Sequence, residues 1–188
     1  MYGATTAMLL LVLICSLYGF YNQRFYYAQL LYPYGIISYK QIYPLFTNSL
    51  VHANYLHLIG NLLVIHAFGN ELERIFKLGH IIVLHVGAIW FVGVISGSLI
   101  DFILKRNKEQ FYSCGASNGS LALFAAYLIL DEKYVLQIFK QLHVENFLII
   151  LIVVSFTVFK LKQKQQNINY SSHLVGLLSG LFYGFLLK

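Results

Sequence analysis

The chain of 188 residues is 59% hydrophobic and 11% charged, and its mean hydropathy is +0.67. A soluble globular domain carries about 25% charged residues, so this composition excludes an ordinary soluble domain and predicts an integral membrane protein. The formal net charge of +6 does not indicate a nucleic-acid partner, because Lys and Arg lie in short segments between apolar runs. There they are expected to anchor helix ends at lipid headgroups, so the predicted partner is the bilayer.

Six apolar segments are candidate membrane-spanning helices, since a hydrocarbon core of ~30 Å needs about 20 helical residues. They cover residues 4–21, 55–68, 80–100, 117–130, 146–159 and 171–187. The first lacks a basic start and a small-residue cleavage site, so we expect a retained span rather than a signal peptide. The fourth and fifth are short, which suits central helices whose ends are covered by protein or water. The sequence thus predicts one all-α polytopic membrane domain over residues 1–188.

The connection between the first two spans, residues 22–54, is long and rich in Tyr and Phe. Such aromatic rings concentrate at the membrane–water interface. Pro33 and Pro44 interrupt any continuous helix there. We therefore expect an interfacial loop that contains short helices.

No motif indicates a metal or a cofactor. The sequence has no H-E-x-x-H zinc pattern, and its two cysteines, Cys15 and Cys114, do not form a C-x-x-C pair. A disulfide between them is possible, although no feature of the sequence supports one. The only aspartates, Asp101 and Asp131, lie near span ends, which argues against an aspartyl dyad within the spans.

Polar side chains occur near the start of the second, fourth and sixth spans. In chain order they are His57, Asn61, Ser117 and His173. These three spans all leave from odd-numbered connections, so their first turns face the same side of the membrane. Because polar groups inside a span are costly and usually functional, this convergence indicates an active site.

These residue types suit nucleophilic catalysis. The Ser117 hydroxyl needs a base to take its proton, and His173 is the candidate. His57 and Asn61 are four residues apart and share a helix face, where both can donate hydrogen bonds to an oxyanion together with the backbone N–H of Ser117. Taken singly, each residue also has a structural explanation: an N-cap serine, an interhelical asparagine or a hydrogen-bonded histidine.

Small residues predict where the sixth span packs. Gly176, Gly180 and Gly184 recur every fourth residue and leave one helix face without side chains, so a neighbour can approach closely. We expect that neighbour to be the fourth span, with Gly119 in the contact.

The far end of the second span carries Gly69 and Glu73, which we expect to hold a loop through hydrogen bonds. The remaining histidines, among them His52, His66 and His85, are interpreted as structural.

The ordered set of motifs resembles the rhomboid intramembrane serine proteases in their compact, six-span bacterial form. The matching elements are His57-x-x-x-Asn61, Gly115-x-Ser117, His173-x-x-Gly176-x-x-x-Gly180 and Gly69-x-x-x-Glu73, with His52 five residues before His57. The resemblance implies a Ser117–His173 dyad without an acidic third member, and an oxyanion hole to which His57 and Asn61 contribute. It implies hydrolysis of peptide bonds in or near the transmembrane segments of membrane-protein substrates, without a metal or a cofactor. The supporting residues would be Gly115, Gly176, Gly180, Gly69 and Glu73.

Loop charges and the resemblance disagree about orientation. The odd-numbered connections carry eight of the thirteen Lys and Arg residues, which would place those connections in the cytoplasm. The resemblance implies a bacterial plasma membrane, both termini in the cytoplasm and an active site toward the extracytoplasmic side. We expect the second arrangement, because the motif set is more specific than the small charge difference.

Three features depart from the family pattern and bear on the rate and on the placement of His173. The interfacial loop lacks the usual Trp-Arg pair, Asn118 follows the serine where Gly is common, and Leu121 stands where an aromatic often packs on the histidine. The alternative function is a catalytically weak or inactive rhomboid-like protein that binds membrane clients, but both Ser117 and His173 are present. An α/β-hydrolase would need a strand before its serine, and a transporter would need midplane ion sites or an inverted repeat.

Overall fold

A computed structural model describes residues 3–78, 84–131, 135–138, 142–162 and 169–188. Its helices are α1 (Ala4–Tyr21), α2 (Gln23–Gln29), α3 (Pro33–Tyr39), α4 (Pro44–Thr47), α5 (Tyr55–Leu78), α6 (Leu84–Lys105), α7 (Ser117–Leu130), α8 (Asn146–Lys162) and α9 (Tyr170–Leu187), with a 3-10 turn at Asn48–Leu50. Two short strands, β1 (Val135–Ile138) and β2 (Leu142–Glu145), form an antiparallel hairpin between α7 and α8. The helical prediction is confirmed for most of the described chain, and the hairpin is an element that the sequence did not lead us to expect.

Long apolar helices agree with an integral membrane protein. By length and composition, α1, α6 and α9 can each cross a membrane. The segment Pro44–Leu50 and the helix Tyr55–Lys77 meet the same criterion together, as a pair bent by 96°. Helices α7 and α8 are apolar but shorter. Among the described residues, three helices therefore qualify, or four with the bent pair, and the count of six spans stays a prediction.

Helix α5 continues well beyond Phe68, where the second span was predicted to end. The prediction stopped at the polar stretch that follows, yet Leu72, Glu73 and Phe76 are fully buried. Glu, Leu, Arg and Lys are strong helix formers, and apolar positions four residues apart continue the buried face. Helix α6 likewise extends past Ile100, while the predicted start of the third span, residues 80–83, lies outside the described residues.

The connection between α1 and α5 contains the expected short helices. Pro33 and Pro44 are the first residues of α3 and α4, a position where the missing N–H of proline costs nothing. These prolines therefore start helices as well as separating them. Helix α3 ends at Tyr39 and is followed by the C-cap residue Lys40, whose φ of 56° is left-handed.

Helix α7 is the centre of the bundle and contacts α5, α6, α8 and α9. Helix α9 packs along it through Gly176 and Gly180, where a Cβ would collide with the α7 backbone, so the predicted close approach is confirmed. The prediction for Gly119 is wrong, because this residue faces α6: an added Cβ would lie 2.5 Å from Cδ1 of Trp90. Successive residues point about 100° apart around a helix, and the sequence does not tell which neighbour each one meets.

Candidate active site

The four polar residues singled out in the sequence surround one cavity. Helices α5, α7 and α9 all start beside it, and its volume is about 720 Å³. The lining includes His57, Asn61, Ser117 and His173. The structure thus brings the four side chains together, while their roles stay predictions.

Ser117 and His173 are hydrogen-bonded to each other. Ser117 is the first residue of α7 and His173 lies in the first turn of α9, and their Oγ and Nε2 atoms are 2.7 Å apart. This distance suits transfer of a proton from the hydroxyl to the imidazole. Helix α9 comes so near because Gly176 lacks a side chain: a Cβ there would lie 2.7 Å from the carbonyl oxygen of Asn118.

Gly115, two residues before Ser117, has a conformation and a neighbour that exclude a side chain. Its φ of 116° lies in the region that glycine adopts without strain. An added Cβ would be 2.5 Å from Cε1 of the His57 ring. The bare backbone therefore lets His57 lie directly against the chain that leads to Ser117.

Backbone hydrogen bonds to the interfacial connection hold that chain in place. Leu31 and Ser113 exchange two bonds of 2.9 and 3.0 Å, and the N–H of Gly115 donates to the carbonyl of Asn48 at 2.9 Å. The segment between α1 and α5 thus supports the backbone beside the cavity.

His52 is fully buried and joins the same backbone to α1. The N–H of Ala116 donates to Nε2 of His52 at 3.2 Å, so this nitrogen carries no proton. Nδ1 then carries the proton and donates to Oγ of Ser16 at 2.9 Å, and the Ser16 hydroxyl donates to the carbonyl of Leu50 at 2.9 Å. The His52 ring also meets the His57 ring edge-on, with 4.9 Å between centroids. One neutral tautomer of His52 thus satisfies all of these hydrogen bonds. The position of His52 beside the cavity was not predicted.

Two hydrogen bonds orient the Asn61 amide. Its Oδ1 accepts from the Ser120 hydroxyl at 3.1 Å, and its Nδ2 donates to the carbonyl of His57 at 3.0 Å. The amide nitrogen has a second hydrogen to donate, and Asn61 lines the cavity. Ser120 was missed in the sequence, although its spacing of three from Ser117 places it on the same side of α7.

Cys114 lines the same cavity, so its thiol is the other nucleophile to consider. Burial raises the pKa of the Cys114 thiol, and a hydrogen bond with the Tyr26 hydroxyl opposes this shift. Because the thiolate is the reactive form, burial favours Ser117 as the nucleophile. Cys114 and Cys15 are both free thiols, so the disulfide left open by the sequence is not formed.

Gly69 and Glu73 lie at the opposite end of the bundle, and their partner is a helix rather than the expected loop. The Glu73 carboxylate accepts from the backbone N–H of Thr5, in the first turn of α1, at 2.6 Å. Gly69 makes room for this contact, because an added Cβ would lie 2.7 Å from the Thr5 methyl carbon.

Asn118 and Leu121, two of the departures from the pattern of the resembling family, lie in defined surroundings in the structure. The Asn118 side chain is directed at α6, where Gly97 makes room for it: a Cβ on Gly97 would lie 2.5 Å from Cγ of Asn118. Leu121 lines the cavity, and an aromatic neighbour of His173 comes instead from Tyr170, with 6.3 Å between ring centroids.

The part of the chain that the structure describes has no group of three or more His, Cys, Asp or Glu side chains placed to hold a metal ion.

The chain is similar in sequence to known proteins. The family model described as "Rhomboid domain" matches residues 39–188, a range that contains every residue lining the cavity. Rhomboid-related protein 2 of Mus musculus is 31% identical over 145 residues, which cover 72% of this chain and 45% of that protein. RHOMBOID-like protein 5 of Arabidopsis thaliana is 28% identical over 138 residues, which cover 73% of this chain and 41% of that protein. Inactive rhomboid-related protein 2 of Caenorhabditis elegans is 27% identical over 157 residues, which cover 78% of this chain and 41% of that protein. The chain spans less than half the length of these relatives.

Proposed function

Because the chain belongs to the rhomboid family, we propose that it is an intramembrane serine endopeptidase. Its substrates are membrane proteins, cleaved at peptide bonds in or near their transmembrane segments. The observation that carries the proposal is the 2.7 Å hydrogen bond between Ser117 Oγ and His173 Nε2, in a cavity at the end of a bundle of apolar helices.

In the first half-reaction, Ser117 Oγ attacks the carbonyl carbon of the scissile bond while His173 Nε2 takes the hydroxyl proton. The imidazolium then gives this proton to the leaving amine as the C–N bond breaks, and an acyl-enzyme ester remains. In the second half-reaction, His173 takes a proton from a water molecule that attacks the ester. As the ester C–O bond breaks, the His173 imidazolium returns this proton to Ser117 Oγ, and the carboxyl product is released.

The carbonyl oxygen becomes negatively charged in both steps and needs hydrogen-bond donors. The proposed donors are the His57 ring, the Asn61 amide nitrogen and the backbone N–H of Ser117, which is in the first turn of α7 and so lacks an intrahelical acceptor. Ser120 fixes the direction of the Asn61 amide, and Gly115 lets the His57 ring approach. One well-placed donor is worth about 10²–10³-fold in rate.

The competing function is a catalytically weak or inactive rhomboid-like protein that binds membrane clients. A relative named inactive, from Caenorhabditis elegans, favours keeping this candidate. The protease is preferred because Ser117 Oγ and His173 Nε2 lie at the hydrogen-bond distance that the mechanism requires. For the protease, we propose a bacterial plasma membrane location with the cavity toward the extracytoplasmic side.

A fluorophosphonate probe in detergent or proteoliposomes tests the proposal, together with cleavage of a transmembrane model substrate. We expect labelling at Ser117, none in Ser117→Ala, and a loss of at least about 10³-fold in cleavage for Ser117→Ala and His173→Ala. Matched controls are Ser96→Ala, whose hydroxyl donates to the carbonyl of Gly93 within α6, and His66→Ala on the exposed face of α5. Labelling that persists in Ser117→Ala refutes the mechanism. A wild-type protein that neither labels nor cleaves supports the client-binding function.

A further inference from the structure

The start of α9 is tethered to α6 instead of being capped by its own side chain. Asn169 is the N-cap residue of α9, and Asn is among the best residues for accepting hydrogen bonds from the first N–H groups of a helix. Its side chain makes no such bond. The Asn169 amide nitrogen donates to Oδ1 of Asp101 near the end of α6, and its oxygen accepts from the Ser171 hydroxyl at 2.8 Å.

Asp101 occupies an unusual place for a carboxyl group. The residue is 1% exposed, and its Oδ2 has no hydrogen-bond partner among the residues that the structure describes. Burying a carboxyl group is costly unless it is hydrogen-bonded. The proposed reaction does not use Asp101, so its burial calls for a role in which the Asn169 contact itself matters.

Asn169 connects Asp101 to the backbone of the turn that carries His173. The carbonyl of Asn169 accepts from the N–H of His173 at 3.2 Å and from the Ser172 hydroxyl at 2.9 Å. Movement of Asn169 therefore moves the first turn of α9, and the imidazole moves with it.

The packing of α9 on α7 leaves a need for such a tether. Gly176 and Gly180 give α9 a face without side chains against α7. A face of this kind allows a close approach, and the two glycines themselves contribute no side chain that would resist sliding along the helix axis. A shift by one residue is only about 1.5 Å along the axis, which is enough to separate His173 from Ser117.

We propose that Asp101 is a positioning residue for His173, and that it acts through the side chain and carbonyl of Asn169. The Asp101–Asn169 hydrogen bond fixes the axial position of the first turn of α9, and the Ser117–His173 distance depends on it. This inference rests on the proposed protease function.

The test compares Asp101→Ala, Asn169→Ala, Asp101→Asn and the double variant Asp101→Ala/Asn169→Ala. Each alanine variant should lower kcat and the fluorophosphonate labelling rate of Ser117 by about 10- to 100-fold per folded enzyme, with KM changed less than about twofold, because a small displacement of the base slows the chemical step. Asp101→Asn keeps an acceptor oxygen for Asn169 and should stay within about threefold of the wild type. The double variant should be no slower than the slower single variant, since both remove the same contact.

Crystal structures of the alanine variants give a readout that does not depend on activity. We expect the Ser117 Oγ to His173 Nε2 distance to exceed about 3.5 Å, the limit of a hydrogen bond. An unchanged kcat in both alanine variants, or losses that add in the double variant, would overturn the inference. If Asp101→Ala does not fold, Asn169→Ala carries the same test. If the wild-type protein neither labels nor cleaves, the proposed function fails, and the distance in the variants still decides the role of Asp101.

Discussion

A buried carboxyl group holds the start of another helix at each end of the bundle. At the cavity end, Asp101 of α6 bonds to Asn169, the residue that precedes α9. At the opposite end, Glu73 of α5 bonds to the backbone of Thr5 in the first turn of α1. Both carboxyl groups are buried, and each has one oxygen without a partner among the described residues.

The two ends of the bundle differ in whether the helix bound by the carboxyl group contributes a residue to the cavity. Helix α9 carries His173 one turn after Asn169, whereas no residue of α1 lines the cavity. Glu73 bonds directly to a backbone N–H and supplies the cap that Gly3 cannot provide. We therefore expect the Glu73 contact to stabilise the fold and the Asp101 contact to position the proposed base.

Outside the proposed dyad, the largest effect is expected from Gly115→Ala at the cavity end. The left-handed backbone of Gly115 costs about 1–2 kcal/mol for a residue with a Cβ, and the added methyl group would displace the His57 ring. We expect cleavage of a model substrate to fall at least about 10²-fold, because both the oxyanion site and the backbone before Ser117 shift.

Gly87→Ala is the matched control for this substitution. Gly87 lies in α6, and an added Cβ there has no neighbour within 4 Å, so its rate should equal that of the wild type. Equal rates for the two variants would show that the space taken by the His57 ring does not matter to the reaction.

A smaller effect is expected from His52→Ala, also at the cavity end. The substitution leaves the Ala116 N–H without its acceptor and removes a partner of Ser16, and each unsatisfied buried group costs about 1–3 kcal/mol. We expect a lower Tm and a loss of about 10-fold in kcat per labelled active site, since Ala116 directly precedes Ser117. His66→Ala, on the exposed face of α5, is the control and should change neither quantity. A lower Tm with an unchanged kcat would limit His52 to stability.

Local sequence patterns predicted most of the helices, and the predicted order of the spans led us to expect the polar residues to meet. The same-side argument brought Ser117 and His173 together, and the structure places their reacting atoms within hydrogen-bond distance. The end of α5 was missed because Glu71 and Arg74 resemble a polar loop, although buried Leu72 and Phe76 continue the helix.

Two other contacts between distant segments could not be predicted from the sequence. His52 bonds to Ala116, 64 residues away, and Asp101 bonds to Asn169, 68 residues away. Such pairs depend on how far each helix is rotated and shifted against its neighbours, and a single sequence carries no signal for either quantity. Gly119 shows the same limit, since its partner proved to be α6 rather than α9.

The smallest effect is expected at the opposite end, from Glu73→Gln. The amide keeps an acceptor for the Thr5 N–H but removes the negative charge from the start of α1, where a charge contributes about 1 kcal/mol. Thermal unfolding in detergent should therefore show a lower Tm, while kcat per labelled active site stays within about twofold of the wild type. Glu71→Gln is the control: its exposed pair with Arg74 at 2.7 Å contributes little, so neither quantity should change. A fall in kcat as large as that of Asp101→Ala would mean that the Glu73 contact also positions the catalytic groups. The Glu73 and Asp101 contacts would then not differ in role, contrary to what we expect.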